Sequence, residues 1–174
     1  DPAQIPIPPS FYDEGKSPVH QREAALWHPL SEDDYRQGRA HYYAFCEQLD
    51  VHIGRVLDAL ERLGQADNTM IFFTSDHGDM AGAHRIYGKG WMPYEESYGI
   101  PLVACWPGKI QPGTRTAHLA QLHDIGHTLL DVLGLAPLPF ADGRSLRPLF
   151  EEPQRKDWED AILCAFYGGE YVTT

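Results

Sequence analysis

Residues 68–90, "NTMIFFTSDHGDMAGAHRIYGKG", run from the apolar stretch Met70-Ile71-Phe72-Phe73 straight into a loop with two acids, two histidines and a lysine among glycines. The apolar part is short and rich in β-formers, the pattern of a buried strand. Upstream, "SEDDYRQGRAHYYAFCEQLDVHIGRVLDALERLG" predicts a long amphipathic helix. Ser31 stands at its N-cap, Glu32, Asp33 and Asp34 face the positive end of the dipole, and Gly64 ends it. Its apolar stripe is Tyr42, Phe45, Leu49, Ile53, Val56, Leu57, Leu60 and Leu63, and Gly38 offers a place to bend. A long helix leading into a buried strand is half of a parallel βαβ unit.

The remaining signals extend that pattern. "IPLVACWPG" predicts a second buried strand, "HDIGHTLLDVLGL" a helix closed by Gly134, "GRSLRPLF" a short turn and "AILCAFY" a last strand. The expected class is therefore α/β, a mostly parallel sheet flanked by helices. Residues 1–30 hold six prolines without a sustained period and are expected to form an extended Pro-rich lead-in. Residues 31–150 then form the body, and 151–174 open a following segment. The chain starts at Asp1, not Met, and reads as part of a longer polypeptide.

Composition narrows the function. A net charge of −11, with basic residues scattered from Lys109 to Lys156, excludes a nucleic-acid surface. No apolar run approaches the roughly 20 residues of a membrane span. Cys46, Cys105 and Cys164 form no Cys-x-x-Cys pair and read as small apolar residues. Elbow, zinc-protease, P-loop and dinucleotide motifs are missing.

In open α/β sheets, ligands bind beyond the carboxyl ends of strands, which is where Asp76 and His77 fall. A carboxylate beside an imidazole suits a divalent cation, and Asp79 and His84 are further candidates. Lys89, between Gly88 and Gly90, suits an oxyanion such as sulfate or phosphate. Each residue also has a plainer reading. Asp-His-Gly suits a capped turn, His84 a hydrogen-bonded structural histidine, Lys89 a solvated side chain, and Tyr94-Glu95-Glu96-Ser97 the start of a helical turn.

The stretch "NTMIFFTSDHGDMAGAHRIYGKGWMPYEESYGIPLV" resembles a characteristic block of the type I, formylglycine-dependent sulfatases of the alkaline phosphatase superfamily. The flanking "YYAFCEQLDVHIGRVLDALERLG", "CWPGKIQPGT", "LHDIGHTLLDVLGL" and "DGRSLRPLF" resemble its neighbours in the same order, so roughly residues 35–150 are covered. His127 stands where the family commonly has proline. The resemblance implies an alkaline-phosphatase-like fold, here a partial domain. It makes Asp76 and His77 ligands of one divalent metal, usually calcium, with manganese or magnesium as alternatives. Lys89 becomes the sulfate contact, and His84 and Glu95 have supporting places.

Such an enzyme needs a formylglycine made from Cys or Ser in a Cys/Ser-x-Pro-x-Arg motif, which these 174 residues lack. "CWPGK" at Cys105 has Lys109 where the arginine belongs. The family's nucleophile and remaining metal ligands come from a preceding N-terminal part of the same protein. The expectation is thus the C-terminal part of a catalytic domain acting on a sulfate-ester small molecule or glycan, inactive alone and prone to self-association through an unpaired sheet edge. A phosphonate monoester or phosphodiester hydrolase and a non-catalytic sulfatase-like module remain as alternatives.

Overall fold

The computed structural model describes residues 1–13, 17–89, 93–166 and 169–173. The chain divides into two compact units, residues 1–66 with 74–102 and residues 67–73 with 103–174.

The first unit is built on α1 (Pro18–Trp27) and α2 (Glu32–Arg62), with a short α3 (Glu95–Tyr98). The start of α2 is fixed as its sequence requires. Asp34 N–H donates to Ser31 Oγ at 3.2 Å, and the Ser31 amide donates to the Asp34 carboxylate at 2.8 Å. That carboxylate, which also accepts the Ser31 hydroxyl, is held below the usual carboxylate range by Ser31. The helix ends at Gly64, whose φ of 64° suits glycine, with Gln65 N–H donating to Leu60 O at 2.9 Å.

The lead-in is not simply extended. Residues 1–30 form two 3₁₀ turns and α1, and they bury Phe11, His20 and Ala24. Proline favours this arrangement because Pro2, Pro9 and Pro18 all sit in first turns, where no amide donor is needed. Phe11 meets Tyr35 edge-on at 4.8 Å, and Tyr35 stacks on Tyr87 at 5.0 Å. Ala24, Met80, Ala83 and Ile86 form the adjoining apolar cluster.

Gly38 has a different reason from the expected bend. A Cβ there would run into the Tyr87 ring, so glycine lets α2 approach that ring while the helix continues unbroken. The apolar stripe of α2 stays largely exposed: Phe45 is 72%, Leu49 56% and Val56 62% accessible, and Tyr35 is the helix's buried residue. The periodicity is present, but among the described residues most of the stripe is not buried.

The second unit contains α4 (Leu122–Val132) and α5 (Arg147–Glu151). Asp124 ties its start together, accepting the Gln121 amide at 2.8 Å and the Arg144 amide at 2.9 Å while itself only 2% exposed. The fully buried Thr128 donates to Asp124 O at 2.7 Å and accepts Leu146 N–H at 2.8 Å. Asp160 holds His118 Nδ1 at 2.8 Å, and Arg144 lies 4.0 Å above the Trp158 ring.

Strands β1 (Ile71–Thr74) and β2 (Leu102–Cys105) are neighbours in one two-stranded sheet. Strands β3 (Ile162–Phe166) and β4 (Gly169–Thr173) make another and are antiparallel, Ile162 opposite Thr173 and Phe166 opposite Gly169. The β3–β4 pair thus departs from the expected mostly parallel sheet. Helix–strand alternation implies parallel pairing only between strands joined by a crossover, and a link of two residues after β3 permits only the antiparallel return. Among the described residues, no helix is long and apolar enough to cross a membrane.

Candidate functional site

The loop after β1 brings three of the predicted residues together. Asp76 Oδ1 accepts the His77 amide at 3.0 Å, which chiefly holds the Asp76 carboxyl below its ordinary range. Its other oxygen lies 3.5 Å from His77 Nε2, and the carboxylate is 82% exposed. His77 Nδ1 is 2.8 Å from the Gly78 carbonyl. A carbonyl only accepts, so Nδ1 carries the proton and Nε2 presents its lone pair. Lys89 Nζ donates into that lone pair at 3.1 Å.

Carboxylate, imidazole and ammonium thus meet around one point. The donor chemistry fits a divalent cation: Asp76 offers a hard anionic oxygen, and His77 offers a neutral nitrogen with its other ring nitrogen tied to a carbonyl. The fit is that of a part. Among the described residues no group of three or more His, Cys, Asp and Glu stands ready to hold an ion.

Gly78 positions this loop. Its amide donates to Ser97 O at 2.8 Å, and a Cβ would overlap the Glu96 carbonyl. Only glycine allows the backbone after His77 to lie so close to α3.

The other candidates stand elsewhere. Asp79 Oδ1 accepts the Ala81 amide at 2.7 Å, a local turn contact. His84 is buried, its Nδ1 donating to Asp13 O at 2.6 Å and its ring stacked on Tyr94 at 4.1 Å. Glu95 is exposed in the first turn of α3, and its carbonyl accepts Gly99 N–H at 2.8 Å. Sequence reading passed over His20, which is fully buried, bonds Tyr94 through Nδ1 and lies edge-on to His84 at 5.2 Å. Its proline-rich surroundings concealed it. Cys105 ends β2 and is exposed.

Comparison with known proteins gives these residues their setting. The sulfatase family model matches residues 8–135. This chain is a member of the sulfatase family. Its superfamily is the alkaline-phosphatase-like one, and its sulfatase relatives are hydrolases. Arylsulfatase K of Xenopus laevis is 36% identical over 134 residues, covering 77% of this chain and 25% of that relative. A phosphonate monoester hydrolase from Silicibacter pomeroyi superposes with a TM-score of 0.83 at 30% identity, over 94% of this chain and 35% of its own. A protein solved in complex with its substrate D-glucosamine-2-N,6-O-disulfate gives a TM-score of 0.74 at 28% identity, over 88% of this chain and 34% of its own. This sulfatase-family chain therefore spans about a quarter of the length of the curated relative and about a third of each solved neighbour.

Proposed function

We propose that these residues supply part of the metal and sulfate site of a sulfuric ester hydrolase. The observation that carries this reading is the meeting of Asp76, His77 Nε2 and Lys89 Nζ, at 3.5 and 3.1 Å, around a lone pair aimed by the Gly78 carbonyl. Asp76 and His77 would hold a divalent cation, calcium in the first instance, with manganese or magnesium as substitutes. Such an ion, when bound, withdraws charge from the ester oxygens. Lys89, which gives up the Nε2 lone pair when a cation takes it, adds a mobile positive charge for an oxyanion. His84, within the loop and bonded to Asp13 O, and Glu95, at the start of α3, take supporting places.

The nucleophile lies outside these residues. The formylglycine and the remaining metal ligands belong to the part of the polypeptide that the relatives possess beyond the matched segment, so the 174 residues alone turn over no ester. Residues 31–150 form the catalytic-domain portion, and 151–174 open the segment after it. The neighbour solved with a glucosamine disulfate favours a sulfated glycan or a related small ester as substrate. The TM-score of 0.83 to a phosphonate monoester hydrolase supports a second reading on phosphonate monoesters or phosphodiesters.

The test uses the complete polypeptide. Asp76→Ala is expected to lower metal content and turnover together, and Lys89→Ala to keep the metal and lose turnover. Relative rates on aryl sulfate and phosphonate monoester choose between the two readings. Unchanged turnover in both variants sinks the site assignment, and an upstream region without a Cys/Ser-x-Pro-x-Arg motif turns the chain into a non-catalytic module.

A further inference from the structure

Between His77 and Lys89 the backbone is strained. Ala81, His84 and Arg85 have φ of 43°, 52° and 60°, a left-handed region that L-residues avoid, with Gly82 at 93° among them. Such conformations persist only where the surroundings hold them. Each of the three is held from outside the loop. Arg39 Nη1 donates to Ala81 O at 2.8 Å, Tyr35 Oη to Arg85 O at 3.1 Å, and the His84 ring to Asp13 O at 2.6 Å. Arg39 and Tyr35 are four residues apart on α2, so one helix face grips both ends of the strained run.

The loop transmits that grip. Gly82 N–H donates to Ile86 O and Met80 N–H to Gly88 O, both at 2.9 Å, closing the segment into nested rings. Met80, Ala83 and Ile86 are buried and cluster with Ala24 of α1, which leaves little room for the rings to deform. The outer ring ends at Gly88, and the next residue is Lys89, whose Nζ reaches His77 Nε2. Arg39 is itself anchored, with Nη2 donating to Tyr43 Oη at 2.7 Å and the guanidinium 5.5 Å from the Tyr43 ring.

We infer that Arg39 is a positioning residue: by holding the Ala81 carbonyl it keeps the loop in its left-handed form and so sets Lys89 against His77. The consequence for turnover rests on Lys89 being the anion contact proposed above. The structural coupling does not.

Two measurements separate these. In the metal-free complete polypeptide, selectively labelled at lysine and histidine, the nuclear Overhauser contact between the Lys89 ε-protons and His77 Hε1 is expected in the wild type. Arg39→Met keeps the aliphatic stem and should lose that contact, while Arg39→Lys keeps a donor and should retain it. Tyr43→Phe, which frees Arg39 without touching the loop, should weaken it should Arg39→Met fail to fold. A contact of wild-type intensity in Arg39→Met, or in Tyr43→Phe when that is the variant measured, overturns the coupling. In the complete polypeptide, Arg39→Met should lower kcat/KM by about a hundredfold. It should have no further effect in a Lys89→Met background, because the two act as one unit. Multiplied losses overturn the inference. Wild-type turnover in Lys89→Met would instead overturn the anion-contact reading and leave the contact measurement standing.

Discussion

Replacing Gly78 by alanine tests why the Asp-His pair is followed by glycine. The added Cβ would overlap the Glu96 carbonyl oxygen and come within 3.0 Å of its carbon and 3.4 Å of Ser97 Cα. These are backbone atoms, so no rotamer change relieves the clash. Either the loop 75–79 or the segment 94–97 has to move. Overpacking of this kind costs about 1–3 kcal/mol. The 2.8 Å bond from Gly78 N–H to Ser97 O is stretched by the same movement, adding about 1 kcal/mol. A loss of about 2–4 kcal/mol is therefore expected, a large share of a domain's total of about 5–15. Urea denaturation of wild type and Gly78→Ala gives the value directly. Gly88→Ala is the control: its φ of 78° is unfavourable for alanine, but nothing lies within 4 Å of its Cβ. Its cost should be about 1–2 kcal/mol, from backbone strain alone. A Gly78→Ala protein within about 0.5 kcal/mol of wild type would refute the argument that close approach to α3 selects glycine.

Further expectations concern packing and titration. Thr128→Val removes the acceptor of the buried Leu146 N–H at unchanged volume and should cost about 1–3 kcal/mol by chemical denaturation, while Thr128→Ser should retain most of the stability. Gly54→Ala, with nothing within 4 Å on α2, should stabilise by about 1 kcal/mol, whereas Gly38→Ala should lower Tm because its Cβ meets the Tyr87 ring. The Leu119 amide, and after it His118, holds the Asp160 carboxyl below its ordinary range. Its contribution to stability is thus complete above the unfolded carboxylate value of about 3.9 and is lost as pH falls through the lower folded value. An acid titration followed by Trp158 fluorescence should show this loss in wild type and not in Asp160→Asn.

The elements were legible where local chemistry alone decides them. Ser31 with three acids after it, and Gly64 beyond a regular stripe, define α2 without reference to anything else in the chain. Strands β1 and β2 announce themselves as short apolar runs before polar loops. What escaped depends on distant partners. Nothing near His20 foretells its burial, which comes from Tyr94 and His84 more than sixty residues away. The antiparallel β3–β4 return was hidden because helix–strand alternation speaks only of crossovers. The closeness of Asp76, His77 and Lys89 was legible because they share a glycine-rich loop after a strand. The supporting contacts of Arg39 and Tyr35 were not, since on α2 they look like any polar and aromatic pair.

The bare stripe of α2 also bears on how this chain can be handled. Phe45, Leu49 and Val56 are more than half exposed in the described structure, so their apolar character contributes little to the fold seen here. Substituting them with glutamate or lysine, both good helix formers, would leave the Ser31 cap and the Tyr35 anchor untouched. A soluble version of the segment is therefore open to design by recolouring one face of one helix. The same substitutions, carried in the complete polypeptide, would report how much of that face other parts of the molecule require.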